Sequence, residues 1–375
     1  MRLSFRSTIL VSSVAISGIN SPAYAEERSL FFKSTETKGY GKRDRVLLGS
    51  EQSISPSQLH EVYGARVDAG VQTNTATARY PGEKASSTSP SVTLRGFWSG
   101  DIIALGIGAT GTESNLDSNN NVDFSEKQTS QKLLPAVALT VTPNLTLGAS
   151  SDVNWIDIKQ NSAGQSSQSY EGYTRRESLG VSFHTPKLEV GVAYATPSTA
   201  SLGPKNTNLE PVGFGLLSAS PGAEREIYLP SHATIFARGN LTNHFSLQGA
   251  VSHVQYDNNV AGAKDSVSAY RIEDRLASQL QAVYWLSDYA TRFAATGSYR
   301  GATFAPIGTE ENGLGYRDAN LYGLELDGAI ALRKRTYLGL TFGYLRGERD
   351  QTTDGARFVA REERTKIAST ININL

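Results

Sequence analysis

From residue 61 to the C-terminus, apolar side chains recur on alternate positions in segments of about 10 residues, separated by stretches rich in Ser, Asn, Gly, Asp and Thr. A period of two belongs to the β-strand, whose successive side chains leave on opposite faces. The last segment shows it most clearly. Ile367, Ser369, Ile371, Ile373 and Leu375 share one parity, and Lys366, Ala368, Thr370, Asn372 and Asn374 share the other. Further upstream, Leu338, Leu340, Phe342 and Tyr344 oppose Gly339, Thr341 and Gly343, while Tyr322, Leu324, Leu326 and Ile330 oppose Glu325, Asp327 and Ala329. Tyr289, Phe293 and Tyr299 oppose Arg292, Ser298 and Arg300, and Leu276, Leu280 and Tyr284 oppose Arg275, Gln279 and Gln281. Charge keeps to one parity throughout. A cation facing lipid near the bilayer midplane costs roughly 2–4 kcal/mol, so the charged parity is assigned to a lumen and the apolar parity to lipid. Nine further segments, near 61–75, 90–99, 102–112, 131–142, 144–158, 175–184, 187–197, 230–241 and 245–256, bring the expected strand count to fourteen. An even count lets both termini lie on the same side of the membrane.

The connections alternate in length. Ser99-Gly100-Asp101, Thr142-Pro143-Asn144, Thr185-Pro186, Thr242-Asn243, Ser287-Asp288 and Arg333-Lys334-Arg335 are tight. The links between them, near 76–89, 113–130, 159–174, 198–229, 257–269, 302–316 and 348–363, are long and polar. Short periplasmic turns alternating with long extracellular loops mark a bacterial outer-membrane barrel, whereas a soluble β-sandwich has no reason to sort loops by parity. The expected fold is therefore all-β, a transmembrane antiparallel β-barrel of fourteen strands over 61–375.

The N-terminus indicates export. Arg2 and Arg6 precede a short apolar stretch, Thr8–Ile19, and Ala23-Tyr24-Ala25 forms a small-x-small cleavage site. That stretch is shorter than the roughly 20 residues a membrane-spanning helix needs. Residues 1–25 are read as a signal peptide and 26–60 as an N-terminal periplasmic or plug segment. The chain has 36 Lys+Arg and 36 Asp+Glu, and removing Arg2 and Arg6 leaves 34 − 36 = −2. Such a balance carries no basic field for nucleic acid. With no cysteine, a disulfide scaffold and thiol-ligated metals are excluded.

Three stretches carry a family resemblance. "LGVSFHTPKLEVGVAYATPSTASL" (Leu179–Leu202) leads to a long loop ending in Tyr228-Leu229-Pro230. "ATIFARGNLTNHFSLQGAVSHVQYDN" (Ala233–Asn258) and "VYWLSDYATRFAATGSYRGATFAP" (Val283–Pro306) follow. In order, strand count and turn placement the chain resembles the FadL/TodX family of outer-membrane channels for long-chain fatty acids and other hydrophobic compounds. The resemblance implies passive diffusion of such molecules through a monomeric barrel plugged from the periplasmic side. The family's plug contains an Asn-Pro-Ala segment, and residues 26–60 here lack it, so either a divergent short plug exists or the barrel is gated differently. The chain ends on an outward side chain, as in the C-terminal strands recognised by the outer-membrane insertion machinery, with Leu375 standing where most such strands have Phe. Lipid, lipopolysaccharide, that machinery and a small hydrophobic ligand are the expected partners.

The inward parity carries Arg66, Asp68, Arg95, Arg238, Arg275, Arg292, Arg300, Glu325, Asp327 and Lys366. They form either a surface that captures an anionic head group or a set of cross-lumen salt bridges, and the mixed signs favour the second. Phe97, Ile102, Leu134, Phe236, Val283 and Trp285 are apolar residues on the same parity, where they line a greasy cavity or pack against the N-terminal segment. Gly106, Gly108 and Gly111 in the third strand suit a bend or simply a curved wall. Asp117–Asp123 resembles the start of a calcium loop but lacks its Gly and its closing Glu. The five histidines have no metal-binding spacing, and no nucleophile–base–orienter set can be assembled, so no cofactor and no catalysis are expected. Three functions follow in order of preference: a channel for hydrophobic or amphipathic small molecules, a polar-solute porin, and a structural or adhesive surface barrel.

Overall fold

The computed structural model describes residues 55–61 and 64–374, apart from 81–82, 120–122, 163–167, 186, 205–224, 230, 243, 256–269, 273, 287–290, 302–303, 307–319, 334–335 and 354–355. A short 3-10 helix, η1 (Pro56–Glu61), precedes the strands. These are β1 (Gly64–Tyr80), β2 (Glu83–Ser99), β3 (Ile103–Asn119), β4 (Asp123–Thr142), β5 (Leu145–Ser162), β6 (Gln168–His184) and β7 (Leu188–Ala195). They continue as β8 (Ser198–Pro204), β9 (Arg225–Leu229), β10 (Ser231–Asn240), β11 (Phe245–Gln255), β12 (Tyr270–Ile272) and β13 (Arg275–Trp285). The last are β14 (Thr291–Arg300), β15 (Phe304–Pro306), β16 (Leu321–Arg333), β17 (Thr336–Thr353) and β18 (Ala356–Asn374).

Fourteen of these form one closed antiparallel barrel: β1 pairs with both β2 and β18, and the β5–β6 pairing completes the ring. All fourteen segments read from alternation are barrel strands. The other four are outgrowths. β8 continues the line of β7 after Thr196-Pro197, and β9 pairs with β8 as β10 does with β7, so Pro197 interrupts one arm of a long hairpin. Proline cannot donate to the ladder, and Thr196 replaces the lost bonding by exchanging backbone and hydroxyl hydrogen bonds with Glu177. β12 and β15 pair with each other outside the barrel sheet.

Several of the expected long loops are strand instead. β3 and β4 pair from Ile103↔Leu139 to Asn119↔Asp123, so 113–119 and 123–130 lie in the sheet. Asp117, Ser118 and Asn119, the calcium-loop-like residues, sit in that ladder. The links expected at 76–89, 159–174 and 348–363 are likewise mostly paired. At 17 to 20 residues, β1 to β6 are longer than the 9–11 a membrane needs, and the excess projects beyond the apolar belt. Within 198–229 the ends pair as β8 and β9, and 205–224 lie outside the described residues.

The tight turns at 99–101 and 142–144 are where the spacing puts them, and threonine hydroxyls brace several strand ends. Thr142 and Thr242 accept the N–H two residues on, while Thr185 both donates to and accepts from Leu188. The outer face is apolar around the ring, from Leu105 and Ile107 through Val190, Val192 and Ile235 to Leu324, Leu340 and Phe342. Charges appear on that face in ion pairs such as Lys127–Glu113 and Arg361–Glu348.

Candidate functional site

The lumen is built from the inward parity, which carries apolar and polar side chains in different places. At the turn end of the barrel, where β2, β4, β13 and β16 finish, two apolar clusters face inward. One joins Phe97, Ala104, Leu134, Ala136 and Ala138 to Leu59 of η1. The other joins Val283, Trp285, Ala294, Ala329 and Tyr337. A third, Ile156, Ile158 and Tyr170, lies near the opposite end of β5 and β6. Phe236 is 1% exposed, with its ring against the face of Gly191, where a Cβ would overlap it.

The helix η1 is seated inside the wall. Ser55, Ser57, Gln58 and Leu59 are buried. Gly148 of β5 and Gly180 of β6 form its seat, because a Cβ on Gly148 would collide with the Pro56–Ser57 backbone and one on Gly180 with the Ser55 hydroxyl. Gln58 Nε2 donates to Glu189 Oε1 at 3.1 Å, and the other carboxylate oxygen of Glu189 lies 3.4 Å from Arg238. The end of the segment read as a plug therefore lies against the inner wall, without the Asn-Pro-Ala signature.

Several of the inward charges pair. Arg66 grips Asp68 through Nε and Nη2 at 2.6 and 2.8 Å and also donates to Asn372 at 2.9 Å. Asp152 holds Lys132 at 2.6 Å and Arg176 at 3.7 Å. Lys366 reaches Glu325 at 2.8 Å, and Thr341 donates to Asp327 at 2.6 Å. Arg292 is completely buried with its guanidinium 5.5 Å from the Trp285 ring centre, where the ring's negative face attracts it. Arg95, opposite Asp68 in the ladder, is buried.

Following directly opposed residues from strand to strand reveals one continuous polar row. It starts at Glu189 and Arg238, crosses Gln248, Gln281 and Thr296, and reaches Glu325. From there it passes Gly343 to Lys366, then Asn74, Ser89, Ser114 and Gln128, before meeting Ile158 and Tyr170. The row climbs because the strands tilt. Traced back one strand from Glu189 it begins at His184, and after a full circuit it returns to β6 at Tyr170, 14 positions away (184 − 170). A rise of about 3.3 Å per residue and a spacing of about 4.8 Å between strands then give a tilt of roughly 35°. Several neighbours along the row are bonded: Gln281 to Thr296 at 3.1 Å, Lys366 to Glu325 and Ser89 to Ser114 at 2.9 Å.

Of the residues singled out in the sequence, Arg66, Asp68, Arg95, Phe97, Leu134, Phe236, Arg238, Val283, Trp285, Arg292, Glu325, Asp327 and Lys366 are all buried on the inner face. Arg300 is half-buried on the same face of β14. The side chain of Arg275 lies outside the described ones. Ile102 is a correction: it is 62% exposed, because β3 begins only at Ile103 and the turn swings the preceding side chain outward. Reading from sequence passed over Lys132, Asp152, Arg176 and Glu189, although each bears charge on the inward parity, the signal used elsewhere.

No protein-family model matches the sequence, and no curated protein sequence matches it. Solved structures do match the fold. A FadL homologue from Pseudomonas aeruginosa superposes with a TM-score of 0.63 at 10% identity, covering 86% of this chain and 93% of that one. The Pseudomonas putida toluene transporter TodX gives 0.57 at 12% identity, with 92% and 98% covered. The Ralstonia pickettii toluene transporter TbuX also gives 0.57 at 12% identity, with 86% and 92% covered. At these identities the likeness is one of fold: this chain has the barrel of the FadL and TodX type.

Proposed function

We propose that this protein is a bacterial outer-membrane channel through which hydrophobic and amphipathic small molecules, fatty-acid-like in their long apolar bodies, enter by passive diffusion. The observation that carries the reading is the inner wall at the turn end. There η1 is seated against Gly148 and Gly180, and Phe97, Leu134, Val283 and Trp285 form buried apolar clusters on the inner face where an open water-filled pore would be lined by polar side chains. The fold supports the same role, since the matching structures include a toluene transporter from each of two species and a FadL homologue. A signal peptide at 1–25, an outer apolar belt and the C-terminal strand pattern favour the outer membrane as its location.

Phe236 and Trp285 are assigned to the wall that an apolar ligand touches, and Arg238, Arg292, Arg300, Glu325 and Asp327 to the polar frame that supports it. Binding of a fluorescent long-chain fatty acid to the purified barrel in detergent tests the assignment. Phe236→Asp or Trp285→Asp should weaken binding at least about tenfold, the equivalent of roughly 1.4 kcal/mol. Undiminished binding by both variants would remove these residues from the ligand's path.

A further inference from the structure

The polar row is more than a set of ion pairs. Its two charged couples, Glu189–Arg238 and Glu325–Lys366, are each internally neutralised, and between and beyond them, from Gln248 to Gln128, every side chain along it is an amide or a hydroxyl, Gly343 apart. The row therefore offers donors and acceptors without net charge. In the sector from β10 to β14 apolar residues stand beside it, past Arg238 and Gln248 on one side and past Gln281 and Thr296 on the other, while Gln279, Ser298, Asn240 and Ser246 occupy the remaining flanks. Two residues along the strands from Arg238, Gln248, Gln281 and Thr296 stand Phe236 and Ala250 on one side and Val283 and Ala294 on the other, all buried. Apolar body and hydrogen-bonding head thus find adjacent seats.

Resting on the channel reading above, we infer that the preferred solute is an uncharged amphiphile, a ring or chain bearing hydroxyl or amide groups, whose head hydrogen-bonds along Gln248, Gln281 and Thr296. A bare hydrocarbon leaves these buried polar groups without a ligand partner. A carboxylate gains little from couples whose charges already cancel, and it still loses its hydration. A neutral polyhydroxyl head can exchange hydrogen bonds from one member of the row to the next at small net cost, because each member is itself a neutral donor or acceptor.

The test uses the full-length mature protein in vesicles whose outer leaflet is lipopolysaccharide. Three fluorescent probes share one ring system: naphthalene, 1-naphthyl glucoside and 1-naphthoate. Protein-dependent entry of the glucoside should exceed that of naphthoate by about tenfold or more, the discrimination expected when a charged head must be desolvated beside couples whose charges already cancel. The double variant Gln248→Leu, Gln281→Leu should lower the glucoside-to-naphthalene entry ratio roughly fivefold, as loss of neutral hydrogen bonds does. Each single variant, checked for heat-modifiable migration, guards against a folding defect. Naphthoate entering as fast as the glucoside overturns the inference, and so does a double variant that leaves the ratio unchanged. Naphthalene entering while the glucoside does not overturns it alone, whereas entry of none of the three overturns the channel reading as well.

Discussion

Lys366 donates to Glu325 at 2.8 Å although a whole strand, β17, lies between them. The bond is possible because the intervening residue is Gly343, whose absent side chain would have come within 3.3 Å of the Glu325 carboxylate and 3.4 Å of Lys366. Both charges are buried, so each depends on the other. Glu325→Ala should destabilise the barrel by about 3–5 kcal/mol by stranding the ammonium, whereas Glu325→Met combined with Lys366→Met should cost far less. Urea titration of the heat-modifiable band reads both. Equal losses in the two variants would mean that packing, not charge, matters there.

The seat of η1 leaves no room for a side chain at two places. Gly148→Val and Gly180→Val should each push Ser55–Ser57 off the wall while leaving the strands paired. In planar bilayers the expected result is a several-fold rise in conductance over the parent protein. Conductance that is already large and steady in the parent, and unmoved by these changes, would show that η1 blocks nothing.

The lipid face should respond to charge according to depth. Ile235 is 68% exposed on the outer face of β10, about halfway along the strand, and Ile235→Arg is expected to cost roughly 2–4 kcal/mol. Thr77→Arg lies near the far end of β1, opposite Glu363 in the ladder, and should cost about 0–1 kcal/mol. Folding into lipid vesicles at graded urea measures both. A reversed order would put the membrane belt at the wrong height.

The barrel was legible because one face of each strand meets lipid, so Ile367, Ile371 and Ile373 must alternate with Lys366, Thr370 and Asn372. Beyond the belt both faces are polar. Ser86–Thr88 and Asp117–Asn119 carry no period and read as loop, yet they pair fully in the ladder. Ile102 departs from strand parity because it belongs to the turn, one residue before β3 begins. The η1 segment is a six-residue helix of mostly polar sequence, and what marks it is the facing pair of inward glycines rather than any feature of its own. Charged inward residues could be recognised singly. Their partners could not, because Arg66 with Asn372 and Gln58 with Glu189 are joined by closure of the ring and seating of η1, which no local pattern encodes.

Passage of hydrophobic molecules through this lumen is tested most directly by uptake of a fluorescent long-chain fatty acid into lipopolysaccharide-faced vesicles, with and without the protein, alongside Phe236→Asp. Uptake should depend on the protein and fall at least about tenfold in the variant, since a buried carboxylate beside Gly191 replaces an apolar wall. The opposite outcome is equally clear: no protein-dependent uptake of the fatty acid, together with rapid entry of small ions and sugars, would make this barrel a polar-solute porin.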